Sequence, residues 1–417
     1  MSLIQDILPL SPLQEGLLFH AHYNQGSGED YVVQRQFEIG QGDSEYVRKC
    51  IDILLSRHPH LLSEFRFRGS EEPIQIIRSR IKAPFTEHVV KGASQGEWQN
   101  ICRLERRPFN PEIPPMLRFS LVTLGVKHRL LFSYHHILLD GWSLVIFLSE
   151  LKEILSTGND SHLPSPIPYK TYLSWLHTRD LASSKAIWSH ELDGISGPCL
   201  VAPSKISIKP VKQVFTKFVT ADLTGQLKAF ARKNSLTLNS LIQGAWGITL
   251  GRLTNSEDVI CGITVSGRPP ELEGVERMIG LFINTVPLRI KLARTTTLLE
   301  LLHGLQQKQA NLIQHQFVGL SEITRACGLP RLFDSILVFE NYPSVLVKNS
   351  GVGLVRLKNL GGYGGDQTHY PISLFVIPGD QIEIRVSYDQ SLFDRQTVEA
   401  IAARLERIFQ AVVADPA

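Results

Sequence analysis

No two of the five cysteines, Cys50, Cys102, Cys199, Cys261 and Cys327, stand at CxxC spacing. That leaves no zinc-ribbon or redox pattern and no disulfide framework, and it fits reduced thiols in a cytoplasmic compartment. No apolar run approaches the roughly eighteen residues of a membrane helix. The opening residues, MSLIQDILPLSPLQEG, have no basic head before an apolar stretch, so no secretory signal is expected. An excess of one charge is also missing. The 43 Lys and Arg oppose 40 Asp and Glu, a net charge of +3, too weak to suggest a nucleic-acid surface. There is no GxSxG elbow for a serine nucleophile, no low-complexity tract and no short-period repeat. What is present is ordinary globular material. The chain has 417 residues, 43% hydrophobic and 20% charged, enough for two or three cores.

Ser11 precedes Pro12, with Gln14 three positions on. This S-x-x-Q capping box predicts a helix carrying Leu13, Leu17 and Leu18 on one stripe. From about Glu45 to His58, Val47, Cys50, Ile51, Leu54 and Leu55 recur at helical spacing, and Pro59 ends the run. PIQII, LRFSLVTL and HRLLFSY read as strands. Leu144, Phe147, Leu148, Leu151, Ile154 and Leu155 predict another helix. The Pro-rich STGNDSHLPSPIPY then reads as an exposed connector, with lobes expected at 1–165 and 166–417. Beyond it, one long helical stretch runs through Trp175 and Trp188 to about Leu192. Asp222 is the expected cap of a helix with Leu223, Leu227 and Phe230, and TLNSLIQGAWGITLGRL is a largely apolar helix. DVICGITVS, FDSILVFENY, YPISLFVI and IEIRVSYD read as strands, and Asp394 starts a final helix. Strands and helices alternate in both halves, which predicts two α/β lobes.

Between a predicted strand and a predicted helix stands HHILLDGWS, His135 to Ser143. Adjacent strand residues point to opposite faces, so His135 and His136 do not readily share one ion. His136 and Asp140 have no third ligand at suitable spacing, and no metal is expected. In the plain structural reading, Asp140 is a helix N-cap and Gly141 serves the turn. The junction also lies at the mouth of an α/β layer, where a histidine near a fixed carboxylate suits proton transfer around neutral pH.

At these residues the chain resembles the condensation domains of nonribosomal peptide synthetases, within the chloramphenicol acetyltransferase-like superfamily. PLSPLQEGLLFH is similar to the family's opening helix and SRHPHLLSEF to its Arg-His element. VSGRPPELEGVERMIGLFINTVPLRI is similar to a long second-lobe stretch. FDSILVFENYP and YDQSLFD match late motifs. The wording of the opening helix, of HHILLDGWS and of SGRPPELEGVE is most similar to the subtype that accepts a D-configured donor.

The resemblance implies an α/β fold of two chloramphenicol acetyltransferase-like lobes arranged as a V with a tunnel between them. It implies amide-bond formation between a donor acyl or peptidyl thioester and the amine of an acceptor aminoacyl thioester. Both substrates ride on phosphopantetheine arms of upstream donor and downstream acceptor peptidyl carrier proteins. No cofactor is held by the domain itself, a neighbouring adenylation domain is expected, and the isolated domain is expected to be monomeric. His136 is implied as the functional histidine, orienting the amine or acting as base, while His135 supports structure. Asp140 is implied to form a buried ion pair, with Arg57 the first candidate partner and Arg268 the second. The Gly141 amide is a candidate oxyanion donor; its plain reading is a helix-start glycine. Trp142, Ser143 and Asn284 are implied along the pantetheine channel; core packing for Trp142 and a strand-end turn for Asn284 are the plain alternatives. GRPPELEGVERMIG is similar to the family's bridging loop, and GGYGGDQTHY to a crossover cover.

Related types are separated by their motifs. An epimerization domain shares HHxxxD but usually lacks the Gly-Trp-Ser continuation. A heterocyclization domain has aspartate in place of the two histidines, and acyltransferases that use coenzyme A carry a late DFGWG, absent here. A non-catalytic recruitment domain tends to lose the active histidine. The ending Pro416-Ala417 reads as a boundary, so the chain is expected to be either free-standing or one domain of a synthetase.

Overall fold

The computed structural model describes residues 4–23, 31–40, 43–67, 72–79, 81–90, 95–125, 127–202, 211–341, 357–363 and 368–414. The elements up to the conspicuous motif are β1 (Ile4–Pro9), α1 (Pro12–Tyr23), β2 (Val32–Ile39), α2 (Ser44–Arg57), β3 (Glu64–Arg66), β4 (Ile74–Arg78), β5 (Phe85–Val90), α3 (Gln95–Leu104), β6 (Leu117–Leu124) and β7 (Lys127–His135). Next come α4 (Gly141–Thr157), α5 (Tyr169–His177), α6 (Leu181–Glu191), β8 (Lys212–Phe218), α7 (Ala221–Lys233), α8 (Leu238–Thr254) and β9 (Asp258–Val265). The chain continues with β10 (Asn284–Lys291), α9 (Leu298–Leu312), α10 (Leu320–Ala326), β11 (Ser335–Phe339), β12 (Leu357–Tyr363), β13 (Ile372–Ile377), β14 (Glu383–Asp389) and α11 (Arg395–Ala414).

Two compact units divide the chain. The first comprises Met1–Arg179, Arg268–Ile283 and Tyr342–Gly365; the second comprises Asp180–Gly267, Asn284–Asn341 and Asp366–Ala417. A single cut after residue 165 therefore gives way to a discontinuous division. The reason is packing. Tyr169 and Tyr172 of α5 lie 5.2 and 4.6 Å, centroid to centroid, from Phe282. Val275 and Met278 join the same buried cluster, which ties α5 to the 268–283 segment.

The first unit holds a five-stranded sheet, β12-β2-β7-β6-β5, antiparallel except for the parallel β5–β6 pair, and a small sheet β1-β4-β3. Helix α4 covers the larger sheet through stacked rings. Phe119 meets Phe132 at 4.7 Å, and Phe132 meets Phe147 of α4 at 5.0 Å, all three fully buried. Burying each such ring contributes about 1.5–3 kcal/mol. The expected face of α2, Val47 through Leu55, is buried, and Ser11 and Gln14 form the anticipated box, with Ser11 N–H donating to Gln14 Oε1 at 2.9 Å.

The second unit holds a six-stranded mixed sheet, β10-β9-β11-β13-β14-β8. Its central strands β11 and β13 run parallel and are apolar along nearly their whole length, as strands covered on both faces are. Two expectations are corrected here. The long helical stretch breaks into α5 and α6, because the Asp180 side chain accepts the Ser183 N–H and starts a new helix. Thr220, not Asp222, caps α7; Asp222 lies in its first turn. Of the expected crossover GGYGGDQTHY, residues 364–367 lie outside the described residues, as do Tyr342-Pro343 of the FENYP stretch and Pro416-Ala417.

Gly280 is where the 268–283 segment meets α5. A Cβ there would lie 2.2 Å from the Tyr169 ring. Gly280→Ala is expected to cost about 1–3 kcal/mol through overpacking. Gly225→Ala, on an open face of α7, is expected to be neutral or to stabilise by about 0.5–1 kcal/mol. Denaturant unfolding of both variants checks the contrast.

Candidate active site

The sheet ladder carries β7 to His135, and the His136 N–H extends it by donating to the Tyr31 carbonyl at 2.8 Å. The chain then turns. Leu138 N–H donates to His135 O at 3.1 Å, and Gln14 Nε2 holds the Ile137 carbonyl at 3.1 Å. Gln14 therefore both caps α1 and pins the loop that follows the histidines. At Asp140 the loop ends and α4 begins.

Asp140 is fully buried. Its Oδ1 accepts the Ser143 N–H at 2.7 Å as the helix N-cap, and its Oδ2 accepts the Phe282 N–H at 2.9 Å. Arg268 Nη2 lies 3.5 Å from Oδ1 and donates to Ser143 Oγ at 2.8 Å. Ser143 Oγ in turn donates to Gly280 O at 2.7 Å and accepts the Gly280 N–H at 3.0 Å. Arg268 also donates to the Val275 and Met278 carbonyls and lies over the Phe282 ring at 3.9 Å. The carboxylate is thus a structural knot joining the motif to 268–283.

Arg57, the first candidate partner, is engaged elsewhere. It bonds Glu150 at 2.9 Å, Asp160 at 3.0 Å and the Pro164 carbonyl at 2.6 Å. The reason is geometric: α2 packs on α4 at Glu150, about 15 Å of helix from Asp140. His58 joins the same carboxylate at 2.9 Å. Ser143, expected along a channel, is fully buried with its hydroxyl engaged as described. Both Asn284 amide hydrogens go to the Gln316 and Val318 carbonyls, each at 2.8 Å, and its Oδ1 accepts the Thr285 N–H. Trp142 is half-buried and donates its indole N–H to Glu276 O at 2.9 Å. Gly141 is half-buried at the first position of α4.

The two histidines differ. His135 is buried, and its Nδ1 accepts the Ile137 N–H at 3.1 Å, so Nε2 carries the proton. Burial, with His136 beside it, pushes its pKa down to about 3. His136 is half-buried, and its Nδ1 has no hydrogen-bond partner among the described residues. Burial lowers its pKa; a hydrogen bond with its own backbone and, after it, the Asp140 charge oppose that shift, and the Arg35 charge adds to it. A neutral ring with an unpartnered nitrogen can accept a proton or a hydrogen bond. Among the described residues no three His, Cys, Asp or Glu side chains are grouped as ligands for one ion, and no helix is long and apolar enough to cross a membrane.

The family model for the condensation domain matches residues 4–417. The chain belongs to the condensation-domain family. Among curated relatives, this condensation domain is 36% identical to a linear gramicidin synthase protein of Brevibacillus parabrevis over 97% of its length, but it spans only 8% of that relative. It is 28% identical to surfactin synthase subunit 3 of Bacillus subtilis (strain 168), over 99% of its length and 33% of that relative. Its fold matches a four-domain nonribosomal peptide synthetase bound to AMP and glycine, with TM-score 0.83 and 17% identity over 100% of this chain and 34% of that one. The X-domain from teicoplanin biosynthesis matches with TM-score 0.84 and 19% identity, over 98% of this chain and 95% of that one. At such identities these two likenesses show the fold alone.

Sequence patterns pointed to His135, His136, Asp140 and Arg268. They missed Gln14 as a loop brace, Gly280 and Tyr169 as its seat, and the Phe282 N–H as the second Asp140 donor. Gly280 carried a signal, because a glycine between Ile279 and Leu281 in a buried stretch marks a close backbone approach.

Breaking one partner of a buried ion pair costs about 3–5 kcal/mol. Asp140→Ala and Arg268→Ala should therefore each lower stability strongly, and their effects should be non-additive in a double-mutant cycle. Arg57→Ala combined with Asp140→Ala should be additive. Stability should also depend on pH. An unfolded histidine titrates near 6.5, whereas burial holds His135, and likewise His60, at about 3. Below 6.5 the unfolded chain binds protons that the folded chain refuses. Stability is therefore full above 6.5 and declines as pH falls toward 3. Denaturant midpoints from pH 7 to 4 should show this fall, less steeply in His60→Phe.

Proposed function

We propose that the domain forms an amide bond between two carrier-bound thioesters. The acceptor amine attacks the donor thioester carbonyl and the C–N bond forms. The tetrahedral oxyanion then collapses, the C–S bond breaks, and the pantetheine thiolate leaves. The amine loses one proton and the thiolate gains one. A thioester is already activated, so the protein needs no nucleophile of its own; alignment and proton handling remain its tasks.

The observation that carries this reading is His136: half-buried and favoured in its neutral form by burial, on a loop held by Asp140 and Gln14. We assign His136 to orienting the amine and receiving its proton. The Gly141 N–H, at the start of α4 where helical amides have no intrahelical acceptor, suits the developing oxyanion. Asp140 acts through the loop and not on the substrate. The donor and acceptor arrive on phosphopantetheine arms of two carrier proteins, beside an adenylation domain in the assembled synthetase, and the donor residue is D-configured. Support for the carriers and the synthetase setting comes from the family and from the multidomain relatives.

The test is single turnover with a loaded donor carrier and a loaded acceptor carrier, read by intact-protein mass spectrometry. The wild type is expected to form the dipeptidyl carrier from a D-donor and not from its L-isomer. His136→Ala should lose it by about 10²–10⁴-fold with an unchanged melting temperature. Absence of product for every pair would favour a recruitment domain, and equal use of D- and L-donors would remove the D-donor assignment.

The pH profile gives a further check. The free α-amine titrates near 7.7–8.0, so the rate should rise with pH through that limb. The His136 limb belongs below 6.5, where the slope should steepen from one to two. A histidine limb above 6.5 would contradict a neutral, burial-depressed ring.

A further inference from the structure

Arg35 is a charged residue on a face built for the core. In β2 it alternates with Val33 and Phe37, both buried, and it pairs across to Phe132, also buried. Residues directly opposite on antiparallel strands share a face. The face that carries Phe132 and Tyr134 therefore also carries Arg35 and Val33. Because the ladder runs on through His136 N–H to Tyr31 O, His136 follows Tyr134 on that face.

A half-buried guanidinium needs partners. Arg57 has Glu150, Arg268 has Asp140 and Arg289 has Asp258. Arg35 has no carboxylate within ion-pair distance among the described residues. Its hydrogen bond there is a long one, Nη1 to its neighbour's carbonyl, Gln34 O, at 3.4 Å. The edge strand β12 makes room for it. A Cβ on Gly362 would stand 2.8 Å from Arg35 Nη1 and 2.1 Å from Gln34 O, so the guanidinium lies across a backbone that tolerates only glycine. The Arg35 charge is felt at both His136 and Tyr134.

We propose that Arg35 is a specificity residue that binds a carboxylate carried by the substrate near the reacting thioester or amine, so that the domain selects an acidic aminoacyl or peptidyl group. A planar fork of donors matches a carboxylate in a bidentate manner, and the substrate would supply a counter-charge that no carboxylate among the described residues places within ion-pair distance. The pantetheine phosphate is not the target, because it lies at the far end of the arm from the sulfur. Arg35 lies on the sheet face that leads to His136 and its charge acts on that ring, which on the condensation reading is where the acyl end arrives. The inference rests on the condensation reading of His136.

The experiment has two readouts. Single turnover compares Glu with Gln, and Asp with Asn, in the donor and then in the acceptor position, using wild type, Arg35→Gln and Arg35→Lys. Calorimetry measures binding of stable amide analogues of glutamyl- and glutaminyl-pantetheine, without need of turnover. In one of the two positions, the wild type is expected to prefer the acidic substrate by about tenfold or more, as a charge-assisted hydrogen bond implies. The preference should lie mainly in KM, fall to near unity in Arg35→Gln and be intermediate in Arg35→Lys. Melting temperatures identify any variant that fails to fold, and Arg35→Lys then carries the comparison. Turnover without acid preference in either position, or a preference that survives Arg35→Gln, overturns the inference and leaves the condensation reading intact. Arg35-dependent binding of the glutamyl analogue with no turnover for any pair supports the anion site and overturns the condensation reading. Neither binding nor turnover overturns both.

Discussion

The buried carboxylate of Asp140 is the constraint on which the site depends. Two backbone N–H groups from different parts of the chain, Ser143 in α4 and Phe282 far downstream, converge on its oxygens, and Arg268 supplies the opposite charge. One side chain therefore starts a helix, ends a loop and docks a remote segment. Such a charge is tolerable in a core only when fully partnered. Ser143 completes the arrangement by linking Arg268 to Gly280 through a single hydroxyl. The result is a junction in which every oxygen of the buried carboxylate and the Ser143 hydroxyl is hydrogen-bonded.

The hydrogen bonds of Asp140 and Gln14 hold the loop without using the His136 side chain. A histidine that braced the loop itself would have its nitrogens occupied, as His135 shows by accepting the Ile137 N–H. Here the bracing is delegated to Asp140, Gln14 and His135, and His136 keeps a nitrogen without a protein partner among the described residues. Burial favours the uncharged ring, which is the form able to receive a proton. The ion pair lies one loop away, where its charge tempers that effect without neutralising the nitrogen by contact. Arg35, on the same sheet face, has no carboxylate within ion-pair distance among the described residues, and at His136 its charge is opposed by that of Asp140.

Much of this was legible in the amino-acid order. The S-x-x-Q box, the stripe of α2, the strand before the motif, the helix after it and the Asp140 cap are local patterns, and each depends on residues within a few positions of one another. The resemblance carried by HHILLDGWS and its collinear companions placed the family. What misled was long-range pairing. Arg57 and Arg268 look alike as candidate partners, and only the packing of α2 against α4 sends Arg57 to Glu150. The Ser143 hydroxyl bonds Gly280 and Arg268, and the Asn284 amide bonds the Gln316 and Val318 carbonyls and the neighbouring Thr285 N–H, partners that no spacing announced. The break between α5 and α6 was missed because apolar spacing continues through it, while Asp180 restarts the helix.

By itself, the sequence determined where most helices and strands lie, that the chain would form α/β lobes, and that a histidine and a carboxylate would stand at a strand-to-helix junction. These follow from periodicity and capping, which act over one or two turns. Only the tertiary structure decided which arginine neutralises Asp140, that the His135 ring braces the loop, and that residues 268–283 complete the unit holding the motif. Those outcomes depend on which donors reach a buried acceptor first, and no spacing along the chain encodes that competition.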